Sequence, residues 1–270
     1  DIENITLYPS DIEEAKKLQL DILKVVSAFC DENHIRYFIY YGTYIGAIRH
    51  KGFIPWDDDI DICMPRPYYI KFVNTFKNDI YSIYCWKMNN KCLCPFAKVF
   101  DVRTELKENG YWGEPLGVNI DIFPMDGLPD NENKRKRWIN RMRFYWGMQV
   151  AASTGDYSRR PLAHRIEIRL IKLFYKVFPI QHYMTYVTIK NAMKYEFDSS
   201  EYIGVVVWGY GQREAVKQSS VFPLRRIAFE DGEFWAPGTD ECLQLIYGDY
   251  MKLPPKENQT YRHLPEMHWK

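Results

Sequence analysis

The sequence predicts an α/β (α+β) fold in which a mixed sheet is flanked by helices and interrupted by a helical insertion. Three observations carry that expectation. Short segments of alternating or β-rich residues recur from Arg36 to Phe123. A long helical pattern precedes them, and a second helical stretch runs from Asn131 to about Tyr195. Strand character then returns at Val205–Trp208 and Arg225–Phe229. The corresponding division is 1–130 as a core with its N-terminal helix, 131–200 as a helical insertion, and 201–270 as a return to the core.

The first helix opens on a Ser10-x-x-Glu13 capping box and repeats apolar residues at Ile12, Ala15, Leu18, Ile22, Val25, Val26 and Phe29. It should end near Asn33. Arg36–Tyr41 is β-rich and reads as a strand, followed by Gly42-Thr43 and a short helix to Arg49. Gly52–Trp56 is a loop carrying Pro55. Asp59–Ile62 alternates polar and apolar residues, as a strand with one wet face does. Tyr68–Phe76 is expected to be helical, and Tyr81–Trp86, Phe96–Phe100 and Val118–Phe123 to be strands. Asp231-Gly232 reads as a tight turn, and Thr239 as the N-cap of a last helix that stops near Gly248.

The 270 residues are 46% hydrophobic and 26% charged, within the ordinary range for a globular protein, and the net charge of +1 points to no particular partner. Local charge is more informative. Lys134, Arg135, Lys136, Arg137, Arg141 and Arg143 crowd one segment without an acidic residue among them. This is either a solvated helix face or a patch for anionic lipid or a polyanionic acceptor. The six cysteines show no zinc spacing and no C-x-x-C pair. With no signal-peptide pattern and no apolar run of membrane-spanning length, free thiols and a cytoplasmic location are expected, with any membrane contact peripheral at the inner face.

The chemistry concentrates in Asp57-Asp58-Asp59-Ile60-Asp61. Four carboxylates in five positions repel one another and call for a cation or wide solvation. On a strand Asp59 and Asp61 share a face, a placement suited to Mg²⁺ that also binds phosphate oxygens. The alternative is an acidic surface loop, but Ile54, Pro55, Trp56, Ile60 and Ile62 argue against it, because they bury its flanks. Asp121, in the alternating Val118–Phe123, supplies a third carboxylate, as metal ligand or as acceptor of a hydroxyl proton. Gly42 and Thr43 begin a helix after a strand, where backbone N–H groups can hold a phosphate. Strand, Gly-Thr, D-h-D-h and a later h-D-h together resemble the nucleotidyltransferase superfamily pattern.

The stretch from Gly42 to Asp61 (GTYIGAIRHKGFIPWDDDID) resembles the signature of the LicD family. The likeness continues at Ile120–Asp126 (IDIFPMD) and Tyr247–Pro255 (YGDYMKLPP). That resemblance implies a nucleotidyltransferase-like fold, Mg²⁺ or Mn²⁺ as cofactor, and a CDP-linked donor. The activity implied is transfer of a phosphorylated small alcohol to a hydroxyl of a cell-surface glycan. Phosphocholine is the first expectation; ribitol, glycerol and ethanolamine phosphate are alternatives. Carried onto this chain, Asp59, Asp61 and Asp121 become metal ligands and catalytic carboxylates. Asp57 and Asp58 support the acidic run, and Arg49 and Lys98 become candidates for donor phosphates. Lys98 is also placed to form an ion pair with one of the Asp residues. His50, Lys51 and His263 are further positions in the same search.

Two other functions use the same residues. A nucleotidyltransferase placing NMP on a small molecule would release pyrophosphate rather than CMP. A glycan-binding module without activity would bind neither Mg²⁺ nor Mn²⁺.

Overall fold

The computed structural model describes residues 9–107, 114–155, 157–158, 160–261 and 266–270. Helix α1 spans Pro9–Glu32, so the long apolar repeat forms the expected helix; the side chain of Ser10, the proposed cap, lies outside the described residues, as does His263. Strand β1 is only Phe38–Ile39, because Tyr41 already starts helix α2 (Tyr41–Arg49). Strand β2 is Asp61–Pro65, later than the sequence suggested. Asp59 therefore lies in the extended lead-in rather than on the strand. Helix α3 (Arg66–Thr75), strand β3 (Tyr81–Tyr84), strand β4 (Ala97–Asp101), strand β5 (Thr104–Lys107) and strand β6 (Asn119–Leu128) follow.

Residues 132–192 hold three helices, α4 (Glu132–Ser153), α5 (Leu162–Val177) and α6 (Gln181–Ala192). Two short strands, β7 (Tyr202–Gly204) and β8 (Val216–Lys217), precede a one-turn helix α7 (Gln218–Val221). Strands β9 (Arg225–Phe229) and β10 (Gly232–Ala236) make a hairpin, helix α8 (Glu241–Tyr247) follows, and β11 (Glu266–Trp269) pairs with β5.

The main sheet runs β1-β2-β6-β4-β3. Strands β2 and β6 are parallel, and the other pairs along this path are antiparallel. The far end of β6 pairs instead with β7. This is the mixed sheet flanked by helices that the sequence predicts, and the strands read within Arg36–Tyr41, Asp59–Ile62 and Val118–Phe123 are neighbours in it. One face presents Ile60, Ile62, Ile120 and Ile122, all buried. Helix α1 lies against β4 and β6.

Several local expectations change. Val205–Trp208 is not a strand but a turn-containing segment; Val205, Val206 and Val207 are buried, so the apolar run records packing rather than pairing. The hairpin turn is Glu230-Asp231, with Glu230 at φ 54, since Gly232 already pairs with Phe229. Asp240 rather than Thr239 occupies the N-cap position of α8, but its side chain makes no cap bond, and Thr239 Oγ1 accepts from the Glu241 N–H at 3.4 Å; the helix ends at Gly248 with φ 72, a conformation glycine adopts freely.

The basic segment Lys134–Arg143 does not form one solvated face. Arg135 is buried, its Nη1 donating to the carbonyls of Pro129 (2.9 Å) and Asp130 (2.7 Å), with its guanidinium 3.7 Å from the Tyr202 ring centroid. Trp138, Met142 and Trp146 are buried beside it. The six cysteines are all free thiols and all buried.

Candidate active site

The site is built on the register of three strands. Asp61 on β2 stands opposite Asp121 on β6, and Asp121 stands opposite Lys98 on β4. Partners in register point to the same side, so the three charged groups form a row across one sheet face. Lys98 Nζ lies 2.5 Å from Asp121 Oδ1 and donates to Asn119 Oδ1 at 3.1 Å. Both chains of this ion pair are largely buried.

The start of α2 fixes one end of the row. The Tyr40 N–H donates to the Asp61 carbonyl (3.0 Å), and the Asp61 N–H donates to Thr43 Oγ1 (2.8 Å). Thr43 thus clasps the metal-candidate strand with its side chain. Gly42 admits the neighbouring Asp57: a Cβ at this position would meet Asp57 Oδ2 at 2.5 Å. The group that approaches Gly42 closely is therefore a carboxylate at the first turn of a helix, where negative charge is favourable. Gln19 on α1 donates to the carbonyls of Asp58 (2.9 Å) and Asn119 (3.2 Å), holding the acidic run against β6.

One carboxylate oxygen from each of Asp57, Asp58 and Asp59 lies within 4.8 Å of the other two, a spacing that could hold a cation. Asp61 is more deeply buried. Burial, then the charges of Asp59, Asp121 and Asp57, push its carboxyl well above the usual range, with Lys98 opposing. A region in which one carboxylate is driven toward its neutral form by three others suits a divalent cation, whose charge would restore ionisation.

Arg49, the last residue of α2, donates from Nη1 to the Tyr250 carbonyl (2.8 Å) and from Nε to His50 Nε2 (2.9 Å). Its guanidinium lies 5.9 Å from the Trp56 ring centroid. The first and last sequence motifs therefore meet at this residue. Arg49, Ile45, Tyr247, Tyr250 and Pro254 line a cavity of about 350 Å³. Lys51 is exposed and outside this arrangement.

Two features were not anticipated. The first is Asp126, which is 1% exposed and is bridged twice by Arg66, Nε to Oδ1 and Nη2 to Oδ2, each 2.6 Å. The second is an aromatic cover over the same sheet face. Phe123 follows Asp121 by two positions, and Phe96 precedes Lys98 by two. Their rings lie 4.5 Å apart. Trp208 lies 5.4 Å from Phe96 and 5.5 Å from Phe123. Tyr41 lies 5.3 Å from Phe123 and 5.3 Å from Tyr210. The Tyr210 and Tyr247 hydroxyls are 3.1 Å apart, and the Tyr247 hydroxyl is held well above its usual range mainly by burial, then by Tyr210, with a smaller push from Asp61. Trp208, Tyr210 and Tyr247 are half-buried. Tyr41 carries the strain of a φ of 46, and its hydroxyl donates to the buried Glu214 at 2.8 Å.

The LicD/FKTN/FKRP nucleotidyltransferase-domain family model matches residues 34–149, which include Asp57–Asp61, Lys98 and Asp121. The lipopolysaccharide cholinephosphotransferase LicD of Haemophilus influenzae is 31% identical over 272 residues, spanning 94% of this chain and 97% of its own length. This chain belongs to the LicD family. An uncharacterized Rickettsia typhi protein shares 46% identity over 125 residues, 45% of this chain and 38% of that protein. A Rickettsia prowazekii protein, also uncharacterized, shares 39% over 59 residues, 18% of this chain and 22% of its own. The LicD relationship covers nearly the whole chain, so it includes α4–α6 as well as the motif-bearing core.

Proposed function

We propose that this LicD-family chain is a divalent-metal-dependent transferase that moves phosphocholine from CDP-choline to a hydroxyl of a cell-surface glycan or its precursor. The observation that carries this reading is the row Asp61–Asp121–Lys98 on the same sheet face as the half-buried rings of Trp208 and Tyr210, with Trp208 packed on the buried Phe96 and Phe123. The row suits a phosphate and its metal. Aromatic faces suit a quaternary ammonium, which is attracted to ring quadrupoles. A choline phosphate presents both groups a few bonds apart. Support also comes from the relative of Haemophilus influenzae, a cholinephosphotransferase of lipopolysaccharide.

In this reading Asp59, Asp61 and Asp121 hold the cation, with Asp57 and Asp58 completing the negative field. When bound, Mg²⁺ or Mn²⁺ supplies charge neutralisation to the donor phosphates. Lys98 and Arg49 add fixed positive charge beside them. Asp121 accepts the proton of the attacking glycan hydroxyl. The new bond joins that oxygen to the choline-bearing phosphorus, and the bond from the same phosphorus to the CMP oxygen breaks. Lys98 keeps Asp121 oriented and limits the build-up of negative charge.

The acceptor side has a natural location. Tyr84 on β3 stands opposite Lys98, and Trp86 follows it by two residues. Trp86, stacked 5.0 Å from His182, opens onto a depression of about 580 Å³ with Lys91 and Glu114 on its wall. An aromatic face bordered by polar groups suits a sugar ring.

The test is incubation with CDP-choline, CDP-ribitol, CDP-glycerol and CDP-ethanolamine, with Mg²⁺ and a glycan acceptor. CMP release with CDP-choline, abolished by chelation, is expected. Release of pyrophosphate from a nucleoside triphosphate, with CDP-choline untouched, would instead establish nucleotidyl transfer.

A further inference from the structure

Helix α5 rests on α4 and buries only Ile168 and Tyr175. At 3.6 residues per turn, Leu162, Ile166, Leu170, Leu173, Phe174 and Val177 fall on another face, and that face is uncovered. Leu162 is 68% exposed, Leu170 62% and Val177 60%. The apolar surface continues past the helix to the exposed Phe178, whose ring centroid lies 5.3 Å from that of Phe174. A continuous apolar stripe of this length is unlike scattered surface leucines and marks an interaction face.

Charge identifies what it meets. Arg165, Arg169 and Lys176 fall along one border of the stripe, while Lys172 behind them donates to the Thr154 carbonyl (2.5 Å); Glu167 is the lone acidic residue of the helix. No described helix is long and apolar enough to cross a membrane. An apolar face edged by basic residues is the pattern of a helix lying in the plane of a bilayer, with its apolar side among acyl chains and its cations at anionic headgroups. We propose that α5 docks this protein onto an anionic lipid surface. A protein partner or a second copy would not need a one-sided basic border on an apolar stripe; anionic lipid uses both.

The placement also has a bearing on the site. Trp146 of α4 lies 5.1 Å from Trp208, so the helix that carries α5 also supports the aromatic cover. The docking itself does not depend on which group is transferred.

The test uses the full chain and vesicles of equal parts phosphatidylcholine and phosphatidylglycerol, with pure phosphatidylcholine vesicles as control. At low salt the protein should co-sediment with the anionic vesicles and not with the neutral ones, and high salt should release most of it. Leu170→Glu with Leu173→Glu should abolish binding while circular dichroism and melting temperature stay near wild type, because both side chains face solvent. Arg169→Gln with Lys176→Gln should weaken partitioning by about fivefold per charge. Retention of the wild type in the supernatant at low salt would overturn the proposal, as would vesicle binding unchanged by the double glutamate substitution. A dimer in analytical ultracentrifugation that the glutamates dissociate, without any lipid binding, would likewise overturn it in favour of self-association. The readout is sedimentation, so it stands whether or not CDP-choline proves to be the donor.

Discussion

Lys98 reaches across from β4 to place its ammonium 2.5 Å from Asp121 Oδ1 on β6, while Asp121 stands in register with Asp61 on β2. The cation therefore divides its influence: it pairs with one carboxylate and partly offsets the crowding of the next. Lys98→Met should remove both effects. CMP release is expected to fall by roughly 10²–10³, the scale for losing one preorganised charge at a developing anion. Asp121→Asn should fall at least as far. Initial rates with saturating donor decide this, and a Lys98→Met variant within threefold of wild type would remove Lys98 from the machinery.

The metal prediction reads binding and stability rather than turnover. Burial and three neighbouring carboxylates push Asp61 toward its protonated form. The cation must displace that proton, so Mg²⁺ or Mn²⁺ affinity should rise with pH, and calorimetry in buffers of different ionisation enthalpy should detect proton release. Asp61→Asn replaces the crowded group by a neutral one. It should raise the melting temperature of the metal-free protein and abolish the metal-induced stabilisation expected of the wild type. A metal-induced shift that survives in this variant would exclude Asp61 as a ligand.

Headgroup recognition is tested at Trp208. Trp208→Ala should raise the KM for CDP-choline about tenfold, or about 1.4 kcal/mol, between the values for an exposed and a desolvated cation on an aromatic face. The KM for CDP-glycerol, which has no cation, should change little. Equal losses for both donors would show that Trp208 supports packing and not headgroup choice.

A pH dependence of stability follows from Glu214. Burial raises its carboxyl from 4.5 to about 8, although the Tyr41 hydroxyl opposes the shift. Below the lower value, folded and unfolded chains both bind the proton. As pH rises toward 8 the unfolded chain releases it first, so folding stability falls, and the loss is complete above the folded value. Glu214→Gln should flatten this part of the profile. Melting temperatures from about pH 5 to about pH 8.5 check it; parallel curves for the two proteins would refute the assignment.

Much of the site could be read from alternation alone. Asp61 and Asp121 each interrupt an apolar pattern, and such carboxylates need a partner or a cation. That the two strands are parallel and in register at these residues was not legible, because pairing is a tertiary choice. The aromatic cover was missed for the same reason: Phe123 and Trp208 are far apart in sequence, and Val205–Trp208 looked like a strand because buried turns are apolar too. Arg135 is different. Arg135, Trp138, Ile139, Met142 and Trp146 follow helical spacing, so its burial was available in the periodicity and was masked by the density of charge around it. For α5 the spacing was plain, but whether its stripe faced protein or solvent required the neighbouring helix.

The bond from Arg49 to Tyr250 ends on a main-chain carbonyl. Changing the Tyr250 side chain leaves that acceptor in place. A side-chain scan of the last motif would therefore score this position as though only the phenol mattered and overlook the junction between the first and last motifs. The junction answers to Arg49, or to the path of the backbone itself, such as a residue inserted or deleted between Gly248 and Pro254.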